Sequence, residues 1–138
     1  METMKGIAVR ARLQHLPMSP RKARQVVDLV RGMPVEVAMG QLMHLPNRAA
    51  RPLAKLINSA VANAEDQFGL SADELYVAEI AADEGPRRRG GRFGGRGRFK
   101  PEIKRSCHLR VALRELDPEP LTLEPASDDR AAGAQAED

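Results

Sequence analysis

The sequence lacks most of the residues that build disulfides, aromatic cores and membrane spans. Its 138 residues include one cysteine, no tryptophan, one tyrosine and three phenylalanines, so the core of a single domain must be built from aliphatic side chains and methionine. The lone Cys107 excludes an internal disulfide and a zinc site of four cysteines. No run of about 18 apolar residues is present, and the first residues have no secretory signal. We therefore expect a cytoplasmic protein without a membrane span.

Positive charge is concentrated in one segment, which the net charge of +3 conceals. Residues 1–85 contain ten basic and ten acidic residues, whereas residues 86–105 contain nine basic residues against Glu102 alone. Residues 117–138 contain seven acids against Arg130, together with three prolines. We predict a folded domain over residues 1–116 and an acidic disordered tail after it, with a polyanionic partner contacted mainly through the cationic segment. One hypothesis is that the tail competes with RNA for that segment.

The stretch SPRKARQVVDLVRG, residues 19–32, has the pattern of an amphipathic helix. Ser19 suits the N-cap, Pro20 the first helical position and Gly32 the position after the last turn. The exposed face is basic and could contact phosphate through Arg21, Lys22, Arg24 and Arg31.

Two further helices are predicted after this one. The second helix covers about residues 34–44. The third lies within residues 47–69, which include Pro52. A proline beyond the first turn of a helix removes a backbone hydrogen bond. Either Asn47 caps this helix and Pro52 kinks it, or the regular helix begins near Arg51.

Three segments alternate with the period of two that is typical of half-buried strands. The first covers residues 7–14. In the second, LYVAEIAADE, Glu79 shares a predicted face with Leu75 and Val77. The third is CHLRVALREL. The last two flank the arginine- and glycine-rich run, so we predict a long β-hairpin over about residues 75–115 with that run at its far end.

The cationic segment is the strongest functional signal in the sequence. Like charges at this density repel one another unless a polyanion neutralises them, and arginine both binds phosphate and stacks on bases. Phe93 and Phe99 could stack on bases as well, and the glycines let backbone approach RNA closely. A solvated basic loop, or contact with an acidic protein or a membrane surface, is the alternative interpretation. The predicted RNA-binding residues are Arg87, Arg88, Arg89, Arg92, Arg96, Arg98, Lys100, Lys104 and Arg105.

Other activities have little support. A helix-turn-helix over residues 19–44 has a suitable length, but its second helix offers only Gln41 and His44 for reading bases, so no DNA partner is expected. Cys107 and His108 are adjacent and would point to opposite faces of a strand, so they cannot form a nucleophile–base pair. The glycine-rich run lacks the lysine of a P-loop. We predict no enzyme activity, no cofactor and no metal site.

Four motifs together carry a family resemblance: SPRKARQVVDLVRG, LINSAVANAED, LYVAEIAADEGP and KRSCHLRV. In this order and spacing, over about residues 7–113, the sequence resembles the bacterial large-subunit ribosomal protein family number twenty-two. The resemblance implies an α+β fold of three helices packed on a small antiparallel sheet, with a long extended β-hairpin. It also implies a further set of RNA-binding residues, which comprises Ser19, Asn58, Asn63 and His108.

The resemblance further implies a location, partners and a role. The location would be the large subunit of the cytoplasmic ribosome, and the partners would be large-subunit ribosomal RNA, neighbouring ribosomal proteins and the nascent peptide. The hairpin would thread through ribosomal RNA and help to line the exit tunnel, and the protein would support assembly. The sequence departs from the family pattern at the hairpin tip, where Arg92, Phe93, Gly94 and Gly95 replace a Pro-Arg-Ala segment, and at Pro101, which is unusual in a strand. A free RNA-binding protein or RNA chaperone with an Arg/Gly-rich loop is the alternative function.

Overall fold

A computed structural model describes residues 8–116 of the chain. Within them the α-helices are α1 (Pro20–Val30), α2 (Val35–His44) and α3 (Ala50–Phe68). The strands are β1 (Ala8–Leu16), β2 (Leu75–Glu84), β3 (Arg88–Phe93), β4 (Phe99–Lys104) and β5 (Cys107–Glu115). This arrangement confirms the predicted α+β class with three helices and a small antiparallel sheet. The predicted acidic tail lies outside the described residues.

The body contains a three-stranded antiparallel sheet in the order β1-β5-β2. β5 is central and pairs with β2, as the two strand patterns predict, and also with β1, which the sequence pattern did not indicate. β3 and β4 continue the β2–β5 hairpin as a separate two-stranded sheet, which we call the ribbon. The helices cover one face of the body sheet, where aliphatic side chains such as Leu109, Val111 and Leu113 are buried.

The predicted face of Glu79 is wrong because β2 contains a bulge. The pairing of β2 with β5 shifts between Val77 and Glu79. The extra residue reverses the alternation, so Ile80 joins Val77 in the core and Glu79 points to solvent. Without the bulge, the Glu79 carboxylate would point into the core, and its burial there would cost free energy.

α1 begins and ends where the sequence predicts. Pro20 occupies the first turn, and Ser19 is the N-cap, although its side chain makes no capping hydrogen bond. Gly32 has a φ of +78°, the left-handed conformation that glycine adopts most readily. Its N–H donates to the Val77 carbonyl at 2.9 Å, and the Val77 N–H donates to Met33 at 2.9 Å. The chain leaving α1 therefore pairs with the outer edge of β2.

α3 resolves the ambiguity at Pro52 in favour of the later start. The helix begins at Ala50, so Pro52 lies in the first turn, where its missing N–H costs no intrahelical hydrogen bond. Ala60 and Ala64 are fully buried, and these small side chains allow α3 to pack closely on β1 and β5. α3 ends at Gly69, which has a φ of +66°.

Candidate nucleic-acid interface

The register of the ribbon separates its side chains into two faces of different chemistry. Residues directly opposite one another in an antiparallel pair lie on the same face, and faces alternate along each strand. Arg88 pairs with Lys104, and Phe93 pairs with Phe99. The charged face therefore carries Arg88, Gly90, Arg92, Lys100, Glu102 and Lys104, and the apolar face carries Arg89, Gly91, Phe93, Phe99, Pro101 and Ile103.

The charged face has little internal compensation. Glu102 contacts Arg92 at 3.3 Å, with the arginine side chain 81% exposed. Among the described residues, no salt bridge involves Arg88, Lys100 or Lys104. Three uncompensated cations on one side of a two-stranded ribbon form a row suited to phosphate oxygens.

The apolar face exposes aromatic surface that the body does not cover. Phe93 is 83% exposed and Phe99 is 63% exposed. Their rings meet edge to face with centroids 6.1 Å apart. The Phe99 ring also lies over Gly91, where an added Cβ would collide with it. The sequence identified both phenylalanines but missed Ile103, which is 45% exposed on the same face of the ribbon, because its face depends on the strand register.

Pro101 and the tip fit the ribbon without breaking it. β4 continues through Pro101, which lies opposite Gly91. A two-stranded ribbon has two open edges, because each strand pairs on one side only. Some backbone N–H groups of each strand therefore have no partner strand, and proline is tolerated at such positions. At the turn, Arg96 and Gly97 have φ values of +58° and +70°. Arg96 and Arg98 are both exposed there.

The base of the ribbon is a compact set of contacts with the body. The Gly85 N–H donates to the Ser106 carbonyl at 2.9 Å, and the Ser106 hydroxyl donates to the Pro86 carbonyl at 2.7 Å. Arg87 binds Glu84 at 2.9 Å. This hydrogen bond and the charge of Arg87 hold the pKa of Glu84 below its ordinary value, with smaller contributions from two other arginines, Arg24 and Arg105.

The basic face of α1 divides into two pairs of residues. Arg21 and Lys22 are exposed in the first turn, and no salt bridge of the described chain involves them. Arg24 donates to the Ala82 carbonyl at 3.2 Å, and Arg31 donates to the Ile80 carbonyl at 3.1 Å. These two guanidinium groups cover backbone acceptors of β2, so part of their donor capacity serves the body sheet.

The predicted residues on α3 and β5 are not joined to the ribbon by any hydrogen bond in the described chain. Asn58 is exposed and Asn63 half-buried on α3. His108 is half-buried on β5, where its Nδ1 atom accepts a hydrogen bond from the His15 backbone N–H at 3.0 Å. His15 has a φ of +57° at an irregularity in β1. This contact gives His108 a structural role that the sequence did not indicate.

Other binding modes receive no support from the geometry. α1 packs mainly on β2 and α2 mainly on α3, whereas the two helices of a helix-turn-helix pack on one another. In residues 8–116, no three His, Cys, Asp or Glu side chains cluster as metal ligands. No helix in the same region is long and apolar enough to cross a membrane.

Comparison with known sequences gives a consistent result over most of the described residues. The profile of the family described as ribosomal protein L22p/L17e matches residues 11–114. The large ribosomal subunit protein uL22 of Thermomicrobium roseum is 43% identical over 108 residues, which is 78% of this chain and 92% of the relative. The uL22 proteins of Caldicellulosiruptor saccharolyticus and Halothermothrix orenii are 43% and 39% identical, over 76% and 77% of this chain and 86% and 94% of their own lengths.

These matches confirm the resemblance that the four sequence motifs indicated. They also agree with the predicted ribosomal location, since each of these relatives is a protein of the large ribosomal subunit. The matched residues include α1, α2, α3 and the whole ribbon. The chain therefore belongs to the L22p/L17e family of ribosomal proteins.

Proposed function

We propose that the protein is a structural constituent of the large ribosomal subunit that binds large-subunit ribosomal RNA without catalysing a reaction. The ribbon is the observation that carries this proposal, because its charged face and its apolar face both lie outside the body. Phosphates would bind the charged face, and unstacked bases would stack on Phe93 and Phe99. A solvated loop would have no use for two exposed aromatic rings, whose burial by a partner is favourable.

The shape of the ribbon favours converging RNA segments over a flat partner. From Gly85 to Arg96 the chain spans about 36 Å at about 3.3 Å per residue, with a width of only two strands. Such a projection would enter spaces between RNA segments, with phosphates against its charged face and bases against its apolar face. We propose that it supports subunit assembly in this way and extends along the exit tunnel, where its tip meets the nascent peptide.

α1 would contact RNA at the other end of the interface through Arg21 and Lys22. Arg24 links this helix to the ribbon base, because it bonds to β2 and lies close enough to Glu84 to lower its pKa. Hydrogen bonds to phosphate fix position rather than read sequence. Specificity would therefore come from the shape of folded RNA, with neighbouring ribosomal proteins contacting the remaining surface.

Sedimentation tests the ribosomal assignment. Tagged protein from a lysate is run on a sucrose gradient after a high-salt wash, with and without RNase. We expect co-migration with the large subunit that survives the wash and disappears on RNase digestion. Recovery at the top of the gradient with mixed RNAs would instead support the alternative, a free RNA-binding protein or chaperone.

Cross-linking tests the tunnel placement separately. A photoreactive benzophenone residue replaces Phe93 in ribosomes that hold a radiolabelled, stalled nascent chain. We expect a cross-link to the nascent chain from this position and none from Phe68, which is 45% exposed on α3 in the body. Cross-links from Phe93 to RNA alone would retain RNA binding but reject contact of this position with the nascent peptide.

A further inference from the structure

The face of the body sheet that points away from the helices contains a groove with a cationic rim. Its volume is about 500 Å³. The floor is shallow because small side chains from β2 and β5 line it, namely Ala78, Ala81 and Ala112. Four arginines stand around this floor: Arg10, Arg12, Arg31 and Arg110.

The charges of the rim are only partly compensated. Arg110 contacts Asp83 at 2.9 Å and Arg31 contacts Asp28 at 2.9 Å. No salt bridge in residues 8–116 involves Arg10 or Arg12. Glu79 is the acid of the lining, and Arg114 binds it at 3.4 Å.

The strand register also favours an anionic occupant of the groove. Arg12 pairs directly with Arg110 across β1 and β5. Like charges placed directly opposite one another in a sheet are destabilising. Asp83 already compensates Arg110, so an added carboxylate would bind Arg12, and the alanine floor leaves room for apolar side chains as well.

The same chain supplies a segment with matching chemistry. Residues 117–138 contain seven acids against Arg130, and Leu121 and Leu123 alternate with polar residues near the middle of the acids. This segment follows Leu116, whose N–H donates to the Glu74 carbonyl at 2.7 Å beside the end of β5. β5 also lines the groove, so the segment leaves the body about 14 Å from Ala112 at 3.4 Å per residue.

Chain length permits the contact, and tethering favours it. A segment of 22 residues spans up to about 73 Å when extended, several times the distance needed. Because it is tethered, its effective concentration at the groove is on the order of millimolar. The ribbon is a more distant competitor, since it begins beyond the opposite end of β5, at Cys107.

We propose that residues 117–138 bind in this groove within the same molecule, with carboxylates on Arg10 and Arg12 and the two leucines over the alanine floor. The apolar alanine floor suits a peptide, which brings apolar side chains together with carboxylates, better than an RNA backbone. The contact is independent of the proposed ribosomal function, because it belongs to the free protein and is measured without RNA.

Paramagnetic relaxation in the full-length protein tests the proposal. A nitroxide is attached to Ser127→Cys, and Cys107 is spared because its side chain is fully buried. We expect the strongest broadening of the backbone amide signals on β1, β2 and β5 around the groove, and much weaker broadening on α3, which packs on the other face of the sheet. The broadening should disappear in Arg10→Gln/Arg12→Gln. It should also weaken in about 1 M NaCl, where the Debye length is about 3 Å.

A charge-matched control separates a specific contact from general attraction. Arg48→Gln/Arg51→Gln removes the same charge from two exposed positions near the start of α3, and it should leave the broadening unchanged. Broadening centred on the ribbon, or an equal decrease in both double variants, would overturn the proposal. So would an absence of broadening at the groove, and weaker ribosomal RNA binding by Arg10→Gln/Arg12→Gln would then assign the groove to RNA.

Discussion

His108 shows how the role of one residue depends on a neighbour that is distant in sequence. The family resemblance assigns this side chain to RNA, whereas in the fold it accepts the backbone N–H of His15, and the two imidazole rings meet edge to face at 4.9 Å. The left-handed backbone of His15 is uncommon for a residue other than glycine. The His108 ring therefore stabilises a locally strained end of β1.

Replacing His108 with alanine should destabilise the free protein without RNA being involved. Removal of this hydrogen bond lowers the free energy of unfolding by about 0.5–1.5 kcal/mol, as measured by urea denaturation. His44→Ala is the control, because His44 is exposed at the end of α2 and should leave the midpoint unchanged. An unchanged midpoint for His108→Ala, together with weaker RNA binding, would return His108 to the interface.

Arg24 and Arg31 mark the limit of residue-level prediction. Their helical spacing correctly places them on the exposed side of α1. The helical spacing does not show that β2 has an open edge. There the backbone carbonyls of Ile80 and Ala82 need hydrogen-bond donors, which Arg31 and Arg24 supply. The identity of that edge depends on strand order, which is a property of the whole sheet rather than of any local pattern.

At the scale of elements, the junction between body and ribbon depends on Gly85. A Cβ at this position would lie 2.5 Å from the Ser106 hydroxyl oxygen and 3.1 Å from the Ser106 backbone carbonyl. The backbone of Ser106 cannot move freely, because its carbonyl also accepts the Gly85 N–H. Ser106 would therefore have to shift to accommodate a side chain on residue 85.

Gly85→Ala should therefore destabilise the protein by about 1–3 kcal/mol, as overpacking does in general. Thermal unfolding measures this as a lower Tm. Gly95→Ala is a matched control in the same ribbon, because nothing lies within 4 Å of its added Cβ and its φ is not positive. Equal Tm values for the two variants would show that the junction relaxes without cost.

Local pattern predicted the elements better than their faces. The apolar spacing of α1 and its Pro20 and Gly32 boundaries were sufficient to place that helix. β2 was located correctly, but its bulge reversed the face of Glu79. The bulge leaves one residue of β2 unpaired, which costs less free energy than burying the Glu79 carboxylate in the core. A bulge depends on packing between strands, so the local pattern of β2 does not reveal it.

For the molecule as a whole, the distribution of charge along the chain locates the cationic segment, but only the ribbon's register shows its two faces. The sequence shows that residues 86–105 contain arginine, lysine and phenylalanine, but it does not show which of these side chains lie on the same face. A shift of the register by one residue would exchange every side chain between faces. The separate chemistry of phosphate and base contacts thus becomes testable only in the folded chain.

The two faces should contribute to RNA affinity in different ways. Replacing Arg88, Lys100 and Lys104 with glutamine should flatten the slope of log affinity against log salt by about 0.7–0.9 for each phosphate that is no longer neutralised. Phe93→Ser/Phe99→Ser should instead weaken binding by about 1–3 kcal/mol per stacked base with the slope unchanged. Filter binding of large-subunit ribosomal RNA over a salt series measures both quantities. Arg48→Gln/Arg51→Gln/Lys55→Gln, which removes equal charge from exposed positions near the start of α3, should alter neither quantity.

The pattern of slopes decides between a two-faced interface and simple electrostatic attraction. If the charged-face variant and the charge-matched variant of residues 48, 51 and 55 flattened the slope equally, net charge alone would govern binding and the ribbon register would be irrelevant. If the phenylalanine variant also flattened the slope, the aromatic face would act by positioning arginines rather than by stacking. Only a flattened slope confined to the charged-face variant, with weaker affinity at constant slope in the aromatic one, fits a ribbon held between phosphates on one side and bases on the other.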